Sequence, residues 1–163
     1  MTKSAEDIIR DEWDLLRKSG LLCQLNCSAG PIKTNGKRNY FKWKAIMKAP
    51  NNSPYGGYSF LFDIDFPTNY PNSPPQVKCT TNVYHMNIST SGSVCVSSVK
   101  NEWNKANNIN TVLKSIFVIF KVPNPESPHR SDIAQLYKND RAQYEKNVKE
   151  HCEKYAIKIK SWN

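Results

Sequence analysis

The chain has 163 residues, a formal net charge of +9, and is 39% hydrophobic and 11% aromatic. That length accommodates one sizeable core rather than two, and the composition is that of a globule, not a disordered chain. No apolar run approaches the roughly 20 residues of a membrane-spanning helix, and Met1-Thr-Lys-Ser-Ala-Glu6 leads into charge with no apolar signal segment. A single domain over 1–163, in the cytosol or nucleus and without a membrane partner, is expected.

Five cysteines (Cys23, Cys27, Cys79, Cys95 and Cys152) form an odd set with no paired CxxC spacing. Without a secretory signal this argues against a disulfide framework and against a zinc site. The positive charge is spread from Lys33, Lys37 and Arg38 to Lys48, and again along Lys146–Lys160. No aromatic RNA-binding signature is interleaved with it, so solvated basic faces are expected rather than a nucleic-acid site.

The predicted elements run as follows. Ile8, Ile9, Glu12, Trp13, Leu15 and Leu16 recur at helical spacing, with Ser4 placed to cap and Gly20 to stop. Leu21 to Ala29 has mixed alternation and predicts a strand, and Gly30 to Asn39 reads as a turn or loop containing Asn-Gly. Two strands follow, Tyr40 to Met47 and Tyr58 to Phe66, the second with Phe60, Phe62, Ile64 and Phe66 on one face. Between them, Ala49 to Gly57 is dense in turn residues. Pro67, Pro71, Pro74 and Pro75 force extended or turning backbone before a short strand at Gln76 to Thr80.

From Asn82 to Asn108 no period persists, and so long a loop tends to be functional. A helix from Ile109 places Val112, Leu113, Ile116 and Phe120 on its apolar face; Val122 to Pro128 ends it. Shorter and longer helices are predicted at Ser131 to Tyr137 and Arg141 to Ile159. The plan is α+β: a four-stranded antiparallel sheet with an N-terminal helix and C-terminal helices.

The long loop holds Tyr84, His85, Met86 and Asn87, then Gly92-Ser-Val-Cys95. A thiol, an imidazole and a carboxamide fit three chemistries. A papain-like hydrolase would need a local signature that is absent. A metal site would need more ligands. Acyl transfer through a thioester needs least: thiol exchange is nearly isoenergetic, and an amide such as Asn87 can stabilise an oxyanion or hold the loop. On residues alone a small buried cysteine is the commoner case.

A series of landmarks then carries a resemblance. Cys27-Ser-Ala-Gly-Pro31, Trp43, Pro50-Asn-Asn-Ser-Pro-Tyr-Gly-Gly57, Phe66-Pro-Thr-Asn-Tyr-Pro71 and Ser73-Pro-Pro75 come first. Tyr84-His-Met-Asn87, Gly92-Ser-Val-Cys95, Trp103, Val122-Pro-Asn-Pro125 and Tyr137-Lys-Asn-Asp-Arg141 complete it. In this order and spacing the chain, from about Ile8 to Ile157, resembles the catalytic core of the ubiquitin-conjugating enzymes. The resemblance implies an enzyme that takes ubiquitin, or a related modifier, from an activating enzyme onto Cys95 in an ATP-dependent pathway. It would pass the modifier to a lysine or a ligase, as a monomer without cofactor or metal.

Residue by residue, the resemblance implies that Asn87 stabilises the oxyanion or orders the loop and that His85 is structural, with Tyr84 and Asn124 in the supporting segments. Met86 stands where the family has proline, which predicts a looser backbone before Asn87. Ser127 and Ser97 stand where acidic residues are common. Their lack of negative charge to draw in a lysine predicts slower discharge to free lysine. Asp7, Ile8 and Asp11 on the first helix, Asn72, and Asn104, Lys105 and Ala106 match positions that meet ligases or the activating enzyme. Polar groups there in place of an apolar anchor and a proline predict weak docking of ordinary ligases. Thr111, Lys114 and Val118 match the face onto which donor ubiquitin folds, with Lys114 in place of a common leucine. Ser28 matches a position that in some relatives touches a second ubiquitin. A catalytically weak member that only binds ubiquitin or a partner is the alternative reading.

Overall fold

The structure, a computed structural model, describes residues 2–94 and 102–158. Helix α1 spans Ala5–Ser19, and its ends are set by local chemistry. The Ser4 hydroxyl accepts from the Asp7 N–H at 3.1 Å, which typically contributes about 1 kcal/mol. Glu6 and Asp7 lie in its first turn and Arg17 and Lys18 in its last, complementing the macrodipole. Gly20, at φ 78°, terminates it in the left-handed region.

The strand expected from Leu21 begins later. Leu21–Gln24 forms a helical turn, α2, and Asn26 at φ 48° redirects the chain into β1, Cys27–Thr34. Leu21 and Leu25 are both buried; their four-residue spacing suits one helical face, and this overrode the alternation. The loop expected over Gly30 to Asn39 is also corrected. Only Asn35 and Gly36 turn, both at positive φ (52° and 80°), and β2, Lys37–Lys48, pairs back along β1. That is the two-residue hairpin geometry Asn-Gly favours.

β3 (Ser59–Asp65) and β4 (Gln76–Cys79) complete a four-stranded antiparallel sheet in the order β1-β2-β3-β4. Its register sets Trp43 against Ile64 and Val77, and Ala45 against Phe62 and Cys79, all buried. Helix α3, Ile109–Lys121, lies on this face, with Phe120 stacked 4.8 Å from Phe60. Helices α4 (Ser131–Asn139) and α5 (Arg141–Tyr155) follow. α4 runs two residues past the predicted Tyr137. The last helix ends at Tyr155 rather than Ile159, because Ile157 leaves it to bridge with Ser59, whose N–H donates to the Ile157 carbonyl at 2.7 Å.

Candidate active site

Between β4 and α3 the chain is irregular, and its hydrogen bonds are local and specific. His85 is fully buried; its Nε2 lies 2.8 Å from the Ile119 carbonyl, while its Nδ1 accepts from the Asn87 N–H at 3.0 Å. A carbonyl only accepts, so Nε2 carries the proton and the ring is neutral. Burial lowers its pKa to about 4. Tyr55 stacks on it at 5.3 Å and meets Phe120 edge-on, and the Tyr55 hydroxyl donates to the Tyr84 carbonyl. His85 thus pins this loop to the end of α3.

The Met86 side chain is buried and its carbonyl accepts from the N–H groups of His129 (2.8 Å) and Arg130 (3.0 Å). The looser backbone expected for lack of proline therefore meets three restraints: these two bonds and the Asn87 N–H on His85.

Asn87 is 1% exposed, and its carboxamide faces the backbone of Asn124. Oδ1 accepts from the Asn124 N–H at 2.9 Å, and Nδ2 donates to the Asn124 carbonyl at 2.8 Å. The N–H and the carbonyl of Asn124 together leave one orientation of the amide. The second Nδ2 hydrogen has no partner among the described residues, so the group can brace the loop and still offer one donor. Asn124 is itself turned by its own Oδ1, which accepts from the Glu126 N–H at 3.0 Å. Ser127, two residues after Pro125, is exposed.

Cys95 and Ser97 lie outside the described residues. The described chain approaches them along Ile88↔Val94, an antiparallel bridge beginning one residue after Asn87 and ending one before Cys95. Of the other thiols, Cys27, Cys79 and Cys152 are buried, and burial pushes each up to about 12. Cys23 is exposed on α2.

The sequence matches the family model of the ubiquitin-conjugating enzymes over residues 16–152. The chain belongs to that family. Among solved structures, it is similar to the E2 domain of a Toxoplasma gondii ubiquitin conjugating enzyme, at 29% identity and a TM-score of 0.75. The match covers 90% of this chain and 99% of that one. Members of the family are generally transferases that work with ubiquitin, activating enzymes and ligases, and the α+β fold described above is theirs.

The positions expected to meet partners fall on adjoining elements. Asp7 is exposed and Ile8 and Asp11 half-buried on α1, with Asp11 ion-paired to Lys3. Asn72, Asn104, Lys105 and Ala106 are exposed. What ties these loops together is Glu12, which sequence reasoning missed. The Tyr70 hydroxyl donates to its carboxylate (2.7 and 2.9 Å to the two oxygens), and so does the N–H of Ile109, first residue of α3, at 2.8 Å. Trp103 Nε1 donates to the Pro71 carbonyl at 2.9 Å. Desolvation raises the Glu12 pKa, although both donors favour the ionised form.

On α3, Lys114 and Val118 are exposed, Val118 by 53%. Thr111 is half-buried, and its hydroxyl accepts from the Asn108 N–H at 3.2 Å in a capping box. It is therefore an element of the helix start. Ser28 is exposed on the outer side of β1, opposite Ile46.

Among the described residues no helix is long and apolar enough to cross a membrane.

Proposed function

We propose that the chain accepts ubiquitin, or a related modifier, as a thioester on Cys95 from an activating enzyme and transfers it to lysine amines or to a ligase. The reading is carried by the clamp between Asn87 and Asn124. It braces the segment leading toward Cys95 and leaves an amide N–H available for an oxyanion. Selection among the thiols supports it. Three are buried with raised pKa values and so are poor nucleophiles, because the thiolate is the reacting form. His85, neutral and occupied on both nitrogens, does not act as a base, which suits an exchange between thiols that needs none.

The expected products follow from the chemistry. Incubation with activating enzyme, ATP and ubiquitin should give an adduct that reductant removes. Cys95→Ala abolishes it, and Cys95→Ser makes it resistant to reductant. If wild-type protein forms no adduct across a panel of activating enzymes and modifiers, the alternative of a binding-only member takes its place.

A further inference from the structure

The end of β4, the turn from Ser89 to Gly92, the start of α4 and the side of α5 border a cleft of about 520 Å³ that the transfer chemistry does not use. Its basic lining residues are Lys78, Arg130 and His151, and no carboxylate lines it among the described residues. Hydroxyls and an amide, among them Ser89, Ser91 and Asn82, make up much of the remainder. The turn is fixed in place by its own bonds. Gly92 donates to the Ser89 carbonyl at 2.9 Å, and its carbonyl accepts from the Cys79 N–H at 2.8 Å. At φ 95° a Cβ on Gly92 would collide with the Cys79 carbonyl, so glycine alone lets the turn lie this close to β4. Ser89 Oγ accepts from the Ser93 N–H at 3.0 Å and lies 2.9 Å from Ser91 Oγ.

The cations are held together against their own repulsion. Arg130 Nη1 donates to the Val83 carbonyl at 3.3 Å, and its guanidinium lies 5.5 Å from the centre of the Tyr84 ring. His151 packs against the same ring at 6.0 Å, with Nε2 2.9 Å from Asn82 Oδ1. Burial, and after it the charges of Arg130 and Lys154, lower the His151 pKa, which marks a positive potential that no acid in the cleft offsets. Arg130 is also the N-cap of α4, where a cation opposes the helix dipole and no side chain caps the first turn. Neither Arg130 nor Lys78 is ion-paired among the described residues. Lys78 stands opposite Asp63 on β3, but Asp63 is taken by Lys44 at 2.6 Å. Most of the Arg130 N–H groups therefore keep their hydrogen-bonding capacity in a cleft of one charge sign, which concentrates potential on an anion.

We propose that this cleft binds a phosphomonoester dianion, with Arg130 as the planar donor, Lys78 and His151 as flanking bases and the Ser89–Ser91 hydroxyls as neutral donors. A guanidinium matches phosphate oxygens two at a time, and a dianion gains more from three clustered bases than a single carboxylate does. A nucleic-acid strand fits less well, because no Phe, Tyr or Trp lines the cleft for a base to stack on. The phosphate belongs either to a small metabolite or to a phosphorylated side chain, and the same chemistry serves both. The proposal rests on no property of Cys95 and stands apart from the transfer reading.

The test titrates the full, isotope-labelled chain with inorganic phosphate and, separately, with a Gly/Ala peptide carrying one phosphoserine, followed by amide NMR shifts. The Gly92 and Arg130 signals should move and saturate. Arg130→Gln should weaken binding about tenfold and His151→Gln about threefold, whereas Lys33→Gln/Lys37→Gln on the hairpin, with a greater loss of charge, should change it less than about twofold. His151 is half-buried, so its variant keeps the test valid if Arg130→Gln folds poorly. Tighter binding of the phosphopeptide assigns the cleft to a phosphorylated side chain; equal or tighter binding of inorganic phosphate assigns it to a small phosphate compound. No saturation by either probe at about 10 mM, equal weakening by the hairpin control, or equally tight binding of the peptide with glutamate in place of phosphoserine would each overturn the proposal.

Discussion

The side chain of Asn87 and the backbone of Asn124 hold each other through a reciprocal pair of hydrogen bonds, 2.9 and 2.8 Å long, across 37 residues of sequence. The side-chain amide offers Asn124 the donor and acceptor that an opposite residue would offer in a strand pair. Because Asn87 is buried, its loss leaves a peptide N–H and a carbonyl poorly satisfied. Asn87→Ala should therefore lower unfolding free energy by about 1–3 kcal/mol, measured by urea denaturation. Asn87→Asp keeps an acceptor for the Asn124 N–H but loses the donor to its carbonyl, and should fall at least as far. An alanine variant as stable as wild type would remove the clamp from the account.

His85 gives the protein a pH dependence of definite sign. Its pKa is about 4 in the folded chain against 6.5 when unperturbed. Between those values the unfolded chain binds more protons than the folded one, so stability rises with pH through that window. The contribution is complete above about pH 6.5 and amounts to about 3 kcal/mol. Urea unfolding at pH 4.5 and pH 7 should show a drop at the lower pH that is much smaller in His85→Gln. The same drop in both would mean that other groups carry it.

Glu12 joins α1 to the proline segment and to the start of α3 through the Tyr70 hydroxyl and the Ile109 N–H. Glu12→Ala should cost about 1.5–3 kcal/mol, since hydrogen bonds to a charged acceptor are lost and Tyr70 stays buried. Tyr70→Phe should cost less, because it removes only one donor and preserves the packing with Phe66 and Trp103. Thermal melts of the two variants check the order; the reverse order would contradict it.

Ser127 is exposed beyond the Asn124 turn, where a carboxylate could attract an incoming ammonium and accept its proton. Ser127→Asp should speed discharge of a preformed thioester to free lysine severalfold while leaving charging by the activating enzyme unchanged. Single-turnover discharge measures it, and an unchanged or slower rate would refute the effect of the missing charge.

Much of this arrangement could be read in advance, for physical reasons that differ by residue. Ser4 and Gly20 announce the ends of α1, because capping depends on a few local atoms. The alternation of Phe60, Phe62 and Ile64 announces β3, since one of its faces is buried and the other is not. The turn of α2 was hidden, because Leu21 and Leu25 suit either period until Asn26 turns the chain. The basic, turn-forming stretch from Lys33 to Arg38 reads as a loop, yet backbone pairing prevails there over side-chain repulsion. Neither Glu12 nor the partner of Asn87 was legible. A carboxylate on a helix looks solvated until Tyr70 and Ile109 are brought against it, and Asn124 contributes backbone atoms that no residue type reveals.

The most direct measurement is peptide mapping of the product formed by Cys95→Ser with activating enzyme, ATP and ubiquitin. The modifier's carboxy terminus should be found in ester linkage on residue 95 and nowhere else. Attachment at Cys23 or at a lysine, with residue 95 unmodified, would contradict the account.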